Sequence, residues 1–201
     1  MLVISKGVGK IYQQTFIDTY SRVAFAKLYD RKNALVAADM LNDKVLPFYQ
    51  DQQIDLLRIM TDRGTEYCGA REHHEYQLYL SIEDIDHTKT KGKRPQTNGI
   101  CERLHRTMQE EFYAIAFRKK IYTSIEDMQS DLDKWLSFYN EERTHSGRYC
   151  YGKTPLQTWM DSKNLAKEKN IDLQFGQNPN FNVSDQTETG STEVQPVRGI
   201  I

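Results

Sequence analysis

The stretch "LLRIMTDRGTEY" (Leu56–Tyr67) decides how this chain is read. Leu56 to Thr61 is apolar and β-prone enough for a buried strand. The run then ends abruptly on Asp62, followed by Arg63, Gly64, Thr65 and Glu66. A carboxylate at that position is either a turn-capping residue or a ligand held at the tip of a strand.

The elements on either side supply a context for Asp62. Upstream, Lys10 to Tyr20 mixes β-branched and aromatic residues, and "SRVAFAKLYD" follows a turn at Thr19 to Arg22, which predicts a hairpin. "GVGK" (Gly7–Lys10) lacks the spacing of a phosphate loop and is read as a turn. Asn33 is a candidate N-cap for a helix whose Leu35, Ala38, Leu41 and Val45 recur at helical spacing. Downstream, "EHHEYQLYL" (Glu72–Leu80) suits a short helix and "SIEDIDHT" (Ser81–Thr88) another strand. "KTKGKRPQTNG" (Lys89–Gly99) is a basic loop punctuated by glycine and proline. A long helix is expected from about Thr97, with Cys101, Leu104, Met108, Phe112 and Ile115 as its buried stripe. Ser124 and Asp127 mark the start of a second helix in capping-box fashion, and Pro155 the start of a third.

This order predicts an α/β fold, a mixed sheet flanked by helices. Residues 1–160 are assigned to one core domain, 161–175 to a helical extension and 176–201, rich in Asn, Gln, Ser and Thr, to a disordered tail.

Composition excludes several function classes. The 201 residues carry a formal net charge of −1, so the molecule as a whole is no polycation. The charge is nonetheless uneven. Asp30 to Asp86 holds 12 acidic and 6 basic residues, whereas His87 to Lys120 holds 9 basic and 3 acidic. An acidic half beside a basic stretch suits a cation site next to a polyanion-binding surface, or simply two solvated faces. The three cysteines, Cys68, Cys101 and Cys150, show no C-x-x-C spacing, which argues against a disulfide framework or a zinc site and fits a reducing, cytoplasmic setting. His73–His74 has no partner at ligand spacing and reads as surface. No secretory signal or membrane-length apolar run is visible.

Glu102 lies forty positions beyond Asp62, in the first turns of the long helix, bordering the buried face beside Cys101. Two carboxylates brought close repel unless a cation sits between them. Mg²⁺ takes one or two carboxylates with phosphate and water, and a pair of such ions can clamp an in-line phosphoryl displacement. The plainer readings are an i, i+4 pair between Glu102 and Arg106 and a cap at Asp62.

"TDRGTEY" (Thr61–Tyr67) and "KRPQTNGICERLHRTM" (Lys93–Met108) together resemble the catalytic core of DDE-type insertion-sequence transposases and retroviral integrases. "FIDTYSRVAFA" (Phe16–Ala26) and "FYNEERTHSGRYCYGKTPLQTW" (Phe138–Trp159) are similar to that family as well, so the resemblance spans roughly residues 1–160. It implies a ribonuclease H-like fold and a metal-dependent polynucleotidyl transferase using Mg²⁺ or Mn²⁺. Asp62 would be the second acidic ligand and Glu102 the third. Asn98 and Gly99 would open the catalytic helix. Lys91, Lys93, Arg94, Asn98, Arg103, His105 and Arg106 would lie along DNA, where phosphate contacts set affinity and its salt dependence. The implied partners are transposon ends and target DNA, and a second copy or a full-length transposase in an oligomer. The implied location is the bacterial cytoplasm, at the nucleoid when DNA is bound.

The chain departs from the pattern at its start. The family's first aspartate should fall at or before Met1 to Ser5, where no acid occurs. Asp18 belongs to the next strand and is only a weak substitute; a hydrogen bond to the turn at Ser21 or Arg22 is its alternative. No N-terminal helix-turn-helix is seen either. The expectation is therefore an N-terminally truncated core with impaired strand transfer. A non-catalytic DNA-binding or regulatory remnant is the alternative, with a ribonuclease H-type nuclease ranked after it.

Overall fold

A computed structural model describes residues 1–62, 64, 66–67, 75–90, 99–175 and 199–200, with backbone alone at 169–175 and 199–200. The expected hairpin forms the spine. Strand β1 (Leu2–Ser5) runs antiparallel to the ten-residue β2 (Gly9–Asp18), which pairs with β3 (Ala24–Tyr29) from Tyr12 to Ile17. The connecting turn brings Arg22 to φ 71°, in the left-handed region, with Asp18 N–H bonded to Val23 O at 2.8 Å.

Helix α1 (Ala34–Met40) starts at Asn33, whose side chain accepts from Val36 N–H, and continues through a π-helical turn (Leu41–Val45) into α2 (Leu46–Asp51). Pro47 offers no N–H and its ring needs room against the carbonyl of residue 43. The wider π-turn lies just ahead of it. The buried side is Val36, Ala37, Met40, Leu41 and Val45, and Leu35 is exposed, contrary to the expected stripe. "ALVAADM" is apolar almost all round, so spacing alone could not choose its inner face.

Strand β4 (Arg58–Thr61) pairs in parallel with β5 (Asp86–Lys89). Between them, α3 (Glu75–Ile82) runs further than expected, so the strand placed at Ser81 begins only at Asp86. Asp84, at φ 56°, ends the helix in the position glycine usually takes, and Ile85 N–H reaches back to Leu80 O at 2.8 Å.

Helix α4 (Gly99–Thr107) passes through a second π-turn (Met108–Tyr113) into α5 (Ala114–Lys119). This turn explains a missed expectation. Cys101, Leu104, Met108 and Phe112 are buried as read, but the extra residue slips the stripe by one position. Tyr113 is therefore buried and Ile115 is exposed. Helix α6 (Ile125–Glu141) begins at Ser124, which accepts from Asp127 N–H, and α7 (Pro155–Phe175) begins at Pro155. Side-chain amides of α6 close the outer edge of β3. Gln129 bonds Leu28 N–H and Ala26 O, and Asn140 bonds Ala24 N–H and Ala24 O. They occupy groups that would otherwise pair with another strand.

Gly199–Ile200, inside the stretch expected to be disordered, form a short strand, β6. It lies antiparallel to Ile17–Asp18 of β2 and parallel to Ile59–Met60 of β4. Ile17 pairs with both β3 and β6, and Tyr12 with both β3 and β1, so β1 and β6 share one edge of β2. The remainder of 176–201 lies outside the described residues.

The two faces of the sheet bury separate cores, following the alternation along β2. Phe16 joins Met40, Leu41, Tyr49, Ile59, Tyr76 and Trp159 on one face. Ile11 and Ile17 join Leu104, Met108, Phe112, Met128 and Leu132 on the other. At about 25 cal/mol per Å² of apolar surface, these two layers dominate the stability. No helix among the described residues is long and apolar enough to cross a membrane.

Candidate active-site cleft

Three elements converge where β2, the end of β4 and α4 meet. They enclose a cleft of about 170 Å³, bounded among others by Gln14, Thr15, Lys32, Asp62, Glu66, Cys101 and His105. Asp62 sits one residue past β4 and is exposed; its Oδ1 accepts from Gly64 N–H at 2.7 Å. The capping reading of Asp62 is thus part of its geometry, and it leaves the carboxylate at the mouth of the cleft.

Glu66, four residues on, is buried, a role that sequence reasoning missed. Lys32 Nζ stands 2.7 Å from its Oε1, while Oε2 has no hydrogen-bond partner among the described residues. Gly64 permits this packing, because a Cβ there would lie 2.4 Å from Glu66 Oε2. The sequence signal was the acid four residues after Asp62 in "DRGTE", with a glycine between them.

On α4, Glu102 is exposed in the first turn and makes no ion pair with Arg106 among the described residues. The neighbouring Cys101 reports on both acids. Burial pushes its thiol up to about 12, and the nearby carboxylates of Asp62 and Glu102 push in the same direction, against the amine of Met1. Asp62 lines the cleft with Cys101, and Glu102 follows Cys101 in the first turn of α4.

One turn later His105 points inward. Its Nε2 lies 3.2 Å from Thr15 Oγ1 and 3.7 Å from Cys101 Sγ. Burial, aided by the Met1 amine, holds its pKa down to about 4, so it is neutral near pH 7. Thr15 continues a polar strip inside the second core layer. Gln13 donates to Thr15 Oγ1 at 2.8 Å and accepts from Tyr113 OH at 2.5 Å. On the opposite face Gln14 accepts from Tyr67 OH at 2.6 Å. This strip had one signal in the sequence: three polar residues, Gln13, Gln14 and Thr15, inside an otherwise apolar strand.

The amine of Met1 donates to Gln13 O at 2.7 Å and borders the cleft from the β1 side. Asp18 lies elsewhere. It is fully buried, and its carboxylate accepts from Tyr20 N–H, Ser21 N–H, Ser21 Oγ and Tyr49 OH. Burial raises its pKa against those four bonds. The turn-bonded alternative describes its surroundings.

Of the basic residues expected along DNA, Arg103 and Arg106 are exposed on α4. Lys91, Lys93, Arg94 and Asn98 lie outside the described residues, as do Cys68 and His73–His74. Among the described residues no group of three His, Cys, Asp or Glu side chains is disposed to hold a metal ion. Asp62 and Glu102 thus fit a divalent cation only in part. They supply hard oxygen donors of the right kind, without a third.

The mixed sheet flanked by helices has the ribonuclease H-like fold of solved integrase catalytic cores. Residues 83–155 match the family model described as integrase core domain. A putative integrase of Spiroplasma virus SpV1-C74 is 29% identical over 166 residues, covering 79% of this chain and 44% of that protein. Among solved structures, an intasome of simian T-cell lymphotropic virus in complex with a PP2A regulatory subunit aligns with TM-score 0.62 and 18% identity, over 96% of this chain and 57% of that one. The HTLV-2 integrase catalytic core in complex with magnesium aligns with TM-score 0.56 and 16% identity, over 79% and 90%. The chain is thus similar to integrase core proteins, and it spans less than half the length of the curated viral relative.

Proposed function

We propose that this chain is a DNA-recombination core that binds DNA across α4 and the loop before it, with Asp62 and Glu102 as its metal-binding acids. The observation that carries this reading is that Asp62 and Cys101 line one cleft while Glu102 follows Cys101 in the first turn of α4, in a sheet with the fold of integrase cores. The family chemistry is attack of a 3′-hydroxyl or water on a phosphodiester, and a bound divalent ion would supply charge neutralisation at the phosphate. The chain's own residues then have separate tasks. Asp62 holds negative charge at the cleft mouth, and Glu102 holds it on the exposed first turn of α4. Neutral His105 and Thr15 orient groups inside it, and the basic residues of 91–106 draw in the backbone.

Calorimetric titration with Mg²⁺ and Mn²⁺, paired with a strand-cleavage assay, tests the site. Asp62→Asn and Glu102→Gln should each abolish the binding heat. Unchanged metal affinity in both variants would remove the assignment.

A second reading is a DNA-binding module without catalysis, favoured by the lack of a third donor beside Asp62 and Glu102 among the described residues. DNA affinity that survives EDTA and Asp62→Asn while falling steeply with salt would select it. Assembly with a second copy or a longer transposase belongs to the same proposal, by analogy with the dimeric and trimeric forms in which the HTLV-2 core was solved.

A further inference from the structure

On the other side of α4 from the two acids lies a second cavity, of about 280 Å³. Cys101 and His105 face the first cleft, whereas Arg103, Leu104 and Thr107 face the second, as the 100° step of a helix requires. Arg22 enters it from the β2–β3 turn, and Arg143 and His145 from the segment after α6.

The charge in this cavity is poorly answered. Glu111 takes Arg143 in a two-pronged pair of 2.7 and 2.8 Å. No carboxylate pairs with Arg22 or Arg103 among the described residues; Arg22 donates to the Thr19 carbonyl. Asp18, whose charge acts on Arg22, has its oxygens occupied by Tyr20, Ser21 and Tyr49. Burial lowers the Arg22 pKa, and Arg103 adds to that effect. His145 is kept neutral, down to about 4, by burial and by the charges of Arg143 and Arg22. Like charges gathered in a partly dehydrated pocket are costly without an anion between them. Arg22 also occupies a left-handed backbone position that glycine or asparagine would take more cheaply.

Guanidinium groups match the oxygens of phosphate two at a time, and the hydroxyls of Thr144 and Ser146 add neutral donors at the same wall. We infer that this cavity is a phosphate-binding subsite, separate from the acid-bearing cleft, in which Arg22 and Arg103 grip a backbone phosphate of bound nucleic acid. The inference rests on the DNA reading above for the source of the phosphate. It gives the chain two contact points on opposite sides of one helix.

The full chain is tested with a fluorescent duplex by anisotropy over a range of salt, and with inorganic phosphate while the His145 imidazole signals are followed by NMR. Arg103→Gln and Arg22→Gln should each weaken duplex binding severalfold and reduce the slope of log K against log salt by about 0.9. Arg118→Gln, exposed on α5 and outside the cavity, should leave both unchanged. Inorganic phosphate should shift the His145 signals in the wild type and not in Arg103→Gln. Arg103 is exposed, so its variant remains informative if Arg22→Gln unfolds. Duplex binding with wild-type slope in a folded Arg103→Gln variant, with His145 unmoved by phosphate, overturns the subsite and leaves the DNA reading standing. Phosphate-dependent shifts lost in Arg103→Gln, in a chain that binds no duplex, uphold the subsite and overturn the DNA reading.

Discussion

Asp18 and Asp62 each stand at the end of an apolar strand, yet they meet opposite surroundings. Asp18 closes β2 inside the protein, ringed by four donors. Asp62 follows β4 at the surface, where the Gly64 amide reaches it and Glu66 behind it takes the buried place. The difference teaches that a strand-end acid becomes structural or chemical according to what the next three residues offer. After Asp18 come Tyr20 and Ser21, whose N–H groups and hydroxyl fold back onto it. After Asp62 comes Gly64, which lends one N–H and leaves space for a second acid.

The contrast is broken most directly by removing the buried acid. Asp18→Ala strands four donors in the interior and should cost about 3 kcal/mol, measured by urea unfolding. A loss below 1 kcal/mol would show that the turn holds itself. Next comes the ion pair behind Asp62. Lys32→Met leaves the Glu66 carboxylate buried without its cation and should cost about 2 kcal/mol; adding Glu66→Gln should recover most of it in a double-mutant cycle.

Acid should have a smaller effect of defined sign. His105 and His145 have folded values near 4, below their ordinary 6.5. The unfolded chain therefore takes up protons first. Their contribution is intact above pH 6.5 and is lost as pH falls towards 4, on the order of 1 kcal/mol each after allowance for partial exposure. His145→Gln should flatten that limb of the stability profile. Asp62→Asn belongs at the bottom of the scale. At an exposed position it should change stability by under about 0.5 kcal/mol while removing the heat of metal binding. Equal destabilisation by Asp18→Ala and Asp62→Asn would erase the distinction between the two acids.

Much of this was readable in advance. The hairpin, Asn33 and Ser124 as caps, Pro155 at a helix start and the order of strands and helices all rest on local chemistry that acts over a few residues. The failures share a physical cause. Ile115 lost its place because a π-turn shifts phase, and no residue type signals that slip. Leu35 was misplaced because its helix is apolar on several sides. Ser81 and Ile82 stayed helical because Asp84 took up a left-handed cap that asparagine or glycine would have advertised better. At the site, Asp62 and Glu102 could be singled out by residue type and motif. Glu66 and Arg22 could not, since their significance depends on neighbours 34 and 81 positions away, Lys32 and Arg103; His105 was singled out as a DNA contact, and its inward bond to Thr15, 90 positions away, was not foreseen.

Gly199–Ile200 form the strand that lies between β2 and β4 among the described residues. Their attachment to the rest of the molecule runs through α7 and the segment 176–198. A protease that cut within that segment would convert an intramolecular strand into a dissociable peptide, held by a handful of backbone bonds and the local concentration it could no longer maintain. Limited digestion would thus loosen the middle of the sheet from a point far along the chain, and a synthetic peptide ending in Gly-Ile-Ile would compete to restore it.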